Sequence, residues 1–252
     1  MKKYILAGAV MALAASQVQA QITIPTINIP MIAGVHPAQY DPFWALPGKA
    51  GTMGADVGLA NGDLSAIGDA SDVFVMGKYS VNDKIEVGAR ATLGFLAGDN
   101  ADAFRSVVAG AKYGLGEKSA LGVNLLVPVG EAEDPGLSIA YMQNMATGGI
   151  NWNNQFQVGL LDGYAAKGIN LHLFLEPNKA FGAKAVGYLD IIVNTNTDDI
   201  GGDPLGINLA PNVDYKLNDK MTLNAGVSLG LAGDGKQADP GIGITLLYLC
   251  AK

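Results

Sequence analysis

Few residues in this chain could perform covalent chemistry, and their surroundings do not suit it. His36 and His172 are the only histidines, so a catalytic Ser–His pair would have to use one of them. The stretch Gly226–Gly230 matches the G-x-S-x-G pattern of a nucleophile elbow, with Ser228 at its centre. That elbow needs a strand–turn–helix, whereas Ser228 falls in the middle of a predicted strand. The sequence therefore predicts no catalytic residue, and we interpret the protein as a non-enzyme.

Phosphate and metal chemistry are weakly supported as well. The stretch Gly230–Lys236 resembles most of a phosphate-binding loop, but Gln237 replaces the Ser or Thr that would hold magnesium. Pro240 follows where the helix of such a loop should begin. Acidic residues gather in several loops and could attract calcium, although acidic loops are usually only solvated. We predict no bound metal and no cofactor.

A repeated phrase indicates how the chain is built. Tyr, any residue, Val or Leu, Asn or Gly, an acid and Lys recur in this order at 79–84, 113–118 and 215–220. The first two copies are about 34 residues apart, and the third follows after three such intervals. Between Ile85 and Phe95 apolar residues alternate with polar residues or glycine, and they do so again between Met221 and Leu231. This period of two excludes paired helices and predicts repeated β-hairpins.

The pattern predicts an all-β fold, a closed antiparallel up-and-down transmembrane β-barrel of about twelve strands. Each predicted strand is close to the 9–11 residues that a tilted strand needs to cross a bilayer. An even number is expected of a single-chain bacterial barrel. The predicted strands lie near 52–60, 72–80, 84–96, 105–114, 119–128, 136–145, 150–161, 168–175, 183–194, 206–216, 220–231 and 240–250.

The connections alternate between two kinds, which predicts the orientation. Tight turns are expected around 82–83, 116–117, 148–149, 177–178 and 218–219, and the other six connections, which alternate with them, are longer and acidic. Short turns belong on the periplasmic side and long loops outside, so both termini are expected in the periplasm. We also expect a bulge or a break in the strand ladder at Pro211.

The chain divides into three parts. Residues 1–20 have the basic start, apolar centre and small-residue end of a signal peptide, so we expect export and cleavage. Residues 21–50 carry Pro25, Pro30, Pro37, Pro42 and Pro47 among apolar residues. Regular structure is therefore excluded there, and the segment either lies in the periplasm or enters the barrel as a plug. Residues 51–252 form the predicted barrel.

Composition supports the same class. The whole chain has a formal net charge of −7, and loss of Lys2 and Lys3 with the signal peptide makes it more acidic, which argues against nucleic acid as a partner. Charged residues make up 15% of the chain, against roughly 25% in soluble domains. Cys250 is the single cysteine, so the fold has no internal disulfide.

Aromatic residues before the short turns suggest a membrane boundary. Tyr79, Tyr113 and Tyr215 open the three copies of the repeated phrase. An amphipathic ring favours the depth where hydrocarbon meets headgroups. We predict that these tyrosines, together with Trp152, belong to the periplasmic aromatic girdle.

If the apolar positions face lipid, the alternate positions face the lumen. The candidates for lumen-lining residues are Lys78, Glu86, Arg90, Lys112, Asn124, His172, Lys184, Asp190, Asp214 and Lys216. Their charges are of both signs. They could line a water-filled path and orient a polar solute, or they could pair across a narrow barrel and seal it. Twelve strands fall between filled eight-stranded barrels and wide channels of sixteen or more, so strand number leaves both possibilities open.

On this pattern the chain resembles the bacterial outer-membrane β-barrels, in particular porin-like members with about twelve strands. The resemblance implies an outer-membrane location, contact with lipid, and passage of small polar solutes or ions. Alternatives within the class are a sealed structural or interaction barrel with acidic loops, and a plugged transporter of apolar compounds. Such barrels usually end in an aromatic residue, whereas this chain ends after Tyr248 with Leu-Cys-Ala-Lys. A homo-oligomer is possible through the small outward residues Ala183, Ala185 and Gly187.

Overall fold

The computed structural model describes the barrel strands and their short turns. The described residues are 49–61, 71–96, 106–127, 129, 134–160, 168–197, 205–232 and 241–250. The predicted signal peptide, residues 21–48 of the Pro-rich segment and most of the acidic loops lie outside these ranges.

Twelve strands form one closed antiparallel barrel in which strands consecutive in the chain are neighbours. All twelve predicted strands are confirmed, most of them within one or two residues at each end. Their bounds are β1 (Met53–Asn61), β2 (Ser71–Asn82), β3 (Ile85–Leu96), β4 (Ser106–Gly114), β5 (Ser119–Val127), β6 (Gly136–Thr147), β7 (Ile150–Leu160), β8 (Asn170–Phe181), β9 (Ala185–Asn196), β10 (Gly206–Lys216), β11 (Met221–Ala232) and β12 (Gly241–Cys250).

The barrel closes where the last strand pairs with the first. The β1–β12 register runs from Met53↔Cys250 to Asn61↔Ile242, and β1 also pairs with β2. Because every strand has two neighbours, the sheet has no free edge, and its backbone N–H and C=O groups can pair without water. No helix in the described part of the chain is long and apolar enough to cross a membrane.

The two faces of the sheet have inverted polarity relative to a soluble barrel. In β5, Leu121, Val123 and Leu125 are exposed on the outer face, whereas Asn124 is fully buried inside. The same alternation of exposed apolar and buried polar residues occurs in β2, β3, β10 and β11. Apolar side chains on the outside of a barrel are typical of contact with lipid.

Four of the five predicted tight turns are confirmed, and their geometry explains the repeated phrase. In the β2–β3 turn the Asn82 side-chain oxygen accepts hydrogen bonds from the backbone N–H groups of Lys84 and Ile85, at 2.8 and 2.9 Å. Asn218 accepts one from Lys220 N–H at 2.9 Å in the β10–β11 turn. Asn thus closes the turn with its own side chain. The β6–β7 turn instead uses Gly148 and Gly149, both with positive φ.

The fifth predicted turn, at Pro177–Asn178, is wrong. Strand β8 continues through Pro177 to Phe181, and the turn lies at 182–184, where Gly182 has a φ of 69°. Proline is tolerated in the strand because the β8–β9 register skips from Leu175↔Ile191 to Asn178↔Tyr188. Pro177 has no N–H to donate, and it stands where the β8–β9 ladder lacks pairs.

The expected break at Pro211 is confirmed. Pro211 keeps its partner Leu189 on β9, while the β10–β11 register passes from Leu209↔Leu229 to Asn212↔Gly226 with unchanged offset. A register shift lies nearby, between Ile207 and Asn208. The missing N–H of Pro211 therefore interrupts pairing on one side only.

An interior glycine allows an aromatic ring to lie against the barrel wall. A Cβ atom on Gly58 would lie 2.3 Å from Phe74 Cζ and 2.6 Å from Thr245 Oγ1. We expect Gly58→Val to lower the free energy of unfolding by about 1–3 kcal/mol because the ring must move. Equilibrium denaturation of the refolded barrel measures this change. Gly77→Val is the matched control, since nothing lies within 4 Å of a Cβ added at Gly77. Equal stability of the two variants would contradict the packing argument.

Candidate functional site

The structure brings most of the predicted lumen residues together inside the barrel. Seven of the ten are buried on the inner face, namely Lys78, Glu86, Arg90, Lys112, Asn124, Asp190 and Asp214. His172 lies on the same face of β8 and is half-buried. The inner face is therefore polar and charged along several neighbouring strands.

Two predicted lumen residues lie at the short turns instead. Lys184 is exposed in the β8–β9 turn, so its prediction as a lumen residue is corrected. The displaced β8–β9 turn explains the error, because β9 begins after Lys184. Lys216 ends β10, and its ammonium lies 2.8 Å from a carboxylate oxygen of the exposed Asp219. The hydrogen bond and the charge of Lys216 hold the pKa of Asp219 below its usual value.

One side of the interior carries three cations, which we call the basic wall: Lys78 on β2, Arg90 on β3 and Lys112 on β4. Lys112 is 1% exposed, and its ammonium lies 3.0 Å from Glu86 Oε1. Ser80 Oγ donates a hydrogen bond to the other oxygen of Glu86 at 3.0 Å. The register places Glu86 directly opposite Lys112 on the neighbouring strand, which makes this ion pair a cross-strand contact.

Arg90 stacks on an aromatic ring inside the barrel. Its guanidinium carbon lies 4.2 Å from the centroid of the Phe74 ring, a cation–π geometry. The same ring lies over Gly58. The stack of Gly58, Phe74 and Arg90 therefore fixes where this positive charge stands in the interior.

A second group of charges, which we call the acidic wall, consists of Glu176 on β8, Asp190 on β9 and Asp214 on β10. Neutral groups donate hydrogen bonds to all three. Asn153 Nδ2 contacts Glu176 at 2.6 Å, and Asn212 Nδ2 contacts Asp190 at 2.9 Å. Tyr188 O–H and Asn224 Nδ2 contact the two oxygens of Asp214, at 3.0 and 2.6 Å. Amide and phenol donors thus reach one oxygen each of Glu176 and Asp190 and both oxygens of Asp214, and none of these donors carries a positive charge.

The two walls face each other across the barrel. In a closed ring of twelve strands, β3 and β9 are equally far apart in both directions, so β2–β4 lie opposite β8–β10. Lys112 and Asp214 both lie near the short-turn ends of their strands. The interior therefore carries positive charge on one side and negative charge on the other, in the half of the barrel nearest the short turns.

Sequence reasoning missed three interior groups, Asp56, Glu176 and Tyr188. Asp56 and Tyr188 stand at positions whose parity matches neighbouring interior residues, so the period-two pattern could have found them. Glu176 was hidden because the adjacent Pro177 suggested a turn. In the described ranges, no cluster of three His, Cys, Asp or Glu residues could hold a metal ion.

The interior side chains have little contact with solvent in this structure. Asn124 and Asp190 are fully buried, and Lys112 is nearly so. Asn124 Nδ2 donates to Ser138 Oγ at 3.2 Å, and Gln155 Nε2 donates to Gln157 Oε1 at 2.9 Å. Many interior groups are thus satisfied by lateral neighbours on the barrel wall.

The predicted girdle residues lie where the short turns begin. Tyr79, Tyr113 and Tyr215 are exposed on the outer face near the ends of β2, β4 and β10. Trp152 stands near the start of β7, on the outward parity and half-buried. Tyr248, also exposed, pairs with Met221 and Ala55 and adds a fifth aromatic residue at this level. Their role as membrane anchors stays a prediction.

Similar solved structures are outer-membrane barrels. The KdgM porin is 9% identical, with a TM-score of 0.52 over 78% of this chain and 98% of that chain. The NanC porin is 10% identical, with a TM-score of 0.51 over 79% and 99%. An outer membrane channel of Pseudomonas putida F1 is 14% identical, with a TM-score of 0.55 over 86% and 100%. No protein-family model and no curated protein matches the chain. At these identities the likeness establishes the closed-barrel fold that the sequence pattern predicted.

Proposed function

We propose that the chain spans the bacterial outer membrane and lets small polar solutes or ions cross it. The observation that carries this proposal is the inverted polarity of a closed barrel, with apolar side chains outside and a charged interior. A soluble barrel would gain nothing from exposed Leu121, Val123 and Leu125 around its circumference. Ionisable residues inside a membrane protein are costly and generally mark a pathway.

The opposition of the two walls favours a channel over a purely structural barrel. The hydrogen bonds shown to the acidic wall come from neutral donors, so the wall keeps an acidic side chain on each of three neighbouring strands. Similar solved structures bear the names of porins and of an outer membrane channel, which supports passage of solutes as the function. The chain is not proposed to be an enzyme, and its partners are lipid and small solutes rather than nucleic acid.

The second candidate is a sealed or plugged barrel, and the burial of the interior side chains favours it. Residues 49–52 lie at the short-turn end, where Ala50 N–H bonds Asp83 Oδ1 at 2.8 Å and Gly51 N–H bonds the Ser80 carbonyl oxygen at 2.8 Å. In our proposal residues 1–20 are removed on export and both termini are periplasmic. Residues 21–48 then approach the barrel from the periplasm, either beside its mouth or inside it.

Single-channel recording in a planar bilayer tests the proposed function. We expect discrete current steps from the refolded mature protein, and a larger conductance after deletion of residues 21–48. The deletion stops before Lys49 so that the Ala50–Asp83 contact is kept. Current from the deletion variant alone would identify a plugged barrel. Silence of both proteins, with folding verified by their β-sheet spectra, would refute the channel and leave the sealed barrel. Recovery of the mature protein from the soluble periplasm without detergent would refute membrane insertion itself.

A further inference from the structure

Asp56 is a buried carboxylate that accepts no hydrogen bond in the described structure. It stands on the inner face of β1, is 1% exposed, and both of its carboxylate oxygens are inaccessible and without a hydrogen-bond partner in the described structure. A buried charged group without a compensating partner is strongly unfavourable. Such a group in a native protein calls for an explanation, and an absent ion or ligand is one of them.

Lys78 lies beside Asp56 and is also buried, with 8% of its surface exposed. The register pairs Gly54 with Lys78 and Asp56 with Met76, so Asp56 and Lys78 are diagonal neighbours on adjacent strands. Within the described residues the two side chains lie on the same face of adjacent strands but form no ion pair. Two opposite charges therefore stand side by side without touching.

Glycines flank Lys78 on both neighbouring strands, whereas the fully buried Met76 stands opposite Asp56. Lys78 has Gly54 opposite it on β1 and Gly88 opposite it on β3, so neither neighbour fills the interior beside its side chain. Arg90 is one strand further on, opposite Met76 and on the same inner face. Phe74 holds the Arg90 guanidinium in place by stacking. Asp56, Lys78 and a positioned Arg90 thus share one interior patch of β1–β3.

Asp214 on β10 adds a second acidic group in the same part of the ring. Strand β1 lies between β2 of the basic wall and β10 of the acidic wall, separated from β10 by β12 and β11, so Asp56 stands between the two walls around the ring. Asn224, which donates to Asp214, belongs to the same neighbourhood. A molecule bound at Asp56 would therefore meet negative charge at one end and positive charge at the other.

We propose that Asp56, Lys78 and Arg90 form a binding site in the lumen for small zwitterionic solutes whose ammonium and carboxylate groups are close together. The ammonium donates to Asp56, and the carboxylate accepts from Lys78 and Arg90. Hydrogen bonds between charged groups are roughly twice as strong as neutral ones, so a zwitterion satisfies this set better than a polyol. A simple cation would satisfy Asp56 but would be repelled by Lys78 and Arg90. The site deepens the proposed channel function and depends on it only for the solute's route of entry.

Binding by the refolded mature protein in detergent tests the site without any need for conduction. L-alanine is the probe. Ethylamine carries only an ammonium group, propionate carries only a carboxylate, and lactamide carries neither charge. Isothermal titration is expected to detect L-alanine at millimolar concentration and to give at least tenfold weaker binding for each of the other three. Asp56→Asn and Lys78→Met are each expected to weaken L-alanine binding at least tenfold. Ser228→Ala, an interior substitution on β11 away from the site, is the control and should leave binding unchanged.

The outcomes distinguish failure of the binding site from failure of the proposed channel function. Absence of L-alanine binding to the wild-type protein, or unchanged binding by Asp56→Asn, overturns the site. Ethylamine binding that Lys78→Met leaves intact also overturns it, in favour of a plain cation site. Asp56→Asn removes a buried charge and keeps the side-chain shape, so it is expected to fold, and its thermal unfolding midpoint verifies this. Binding lost in Asp56→Asn by a barrel that carries no current supports the site and refutes the channel. Current without L-alanine binding supports the channel and refutes the site.

Discussion

Replacement of Lys112 by methionine is expected to lower the free energy of unfolding by about 3–5 kcal/mol. The substitution keeps the volume of the side chain but leaves the Glu86 carboxylate buried without its cation, which stands 3.0 Å away in the native barrel. Both side chains are almost entirely removed from solvent. Equilibrium denaturation of the refolded barrel in detergent or lipid vesicles measures the change.

Two comparisons isolate the ion pair. The double variant Lys112→Met/Glu86→Gln removes both charges and is expected to recover most of the loss, because the cost comes from the unpaired charge rather than from the missing contact. Lys216→Met breaks the exposed pair with Asp219 and is expected to have no measurable effect. A Lys112→Met barrel as stable as the wild type would mean that other groups take over the charge of Glu86.

The ion pair also shows what the sequence could and could not predict. Alternation placed Glu86 and Lys112 on the inner face, because a period of two fixes the side of every residue in a strand. Their direct opposition depends on the β3–β4 register. A tight turn such as Asn82–Lys84 fixes register by its own geometry, but β3 and β4 are joined by a long connection that does not.

Proline produced the largest error in the predicted site. Pro177 suggested the end of a strand, and this moved the turn by several residues, misplaced Lys184 and hid Glu176. Proline is usually excluded from a paired strand, since it has no N–H to donate. Here the β8–β9 ladder skips the pairs around it, and Gly182 makes the turn instead. At Pro211 the flanking alternation was long enough to predict a strand that continues through the proline, and β10 does continue there.

Hydrogen-bond partners inside the barrel could not be predicted either. Tyr188 and Asp214 are separated by 26 positions in the chain, yet they are joined at 3.0 Å. Their contact depends on the register of β9 against β10 and on the side-chain torsions, which no sequence pattern specifies. The composition of the interior was therefore predictable, whereas its division into a basic wall and an acidic wall was not.

Neutralising the acidic wall is expected to change the ion selectivity of the channel. Among the buried charged side chains that the structure describes, five are acidic and three are basic. The wild-type channel is therefore expected to prefer cations. The variant Glu176→Gln/Asp190→Asn/Asp214→Asn keeps side-chain shape and one acceptor oxygen at each position but removes three negative charges. We expect its cation-to-anion permeability ratio to fall about tenfold, equivalent to about 1.4 kcal/mol, because the loss of three negative charges removes their attraction for a passing cation.

Reversal potentials across a bilayer with a salt gradient measure this ratio. Glu117→Gln removes one negative charge from an exposed short turn and is the control, with little expected effect at moderate salt. Lys78→Gln acts on the opposite wall and should raise the cation preference. An unchanged ratio in the triple variant would place the ion path away from β8–β10, because charges that border the path must act on every ion that passes. A lower ratio in the triple variant together with a higher ratio in Lys78→Gln would show that ions pass between the two walls. This is the path expected for a ring in which β3 lies across from β9.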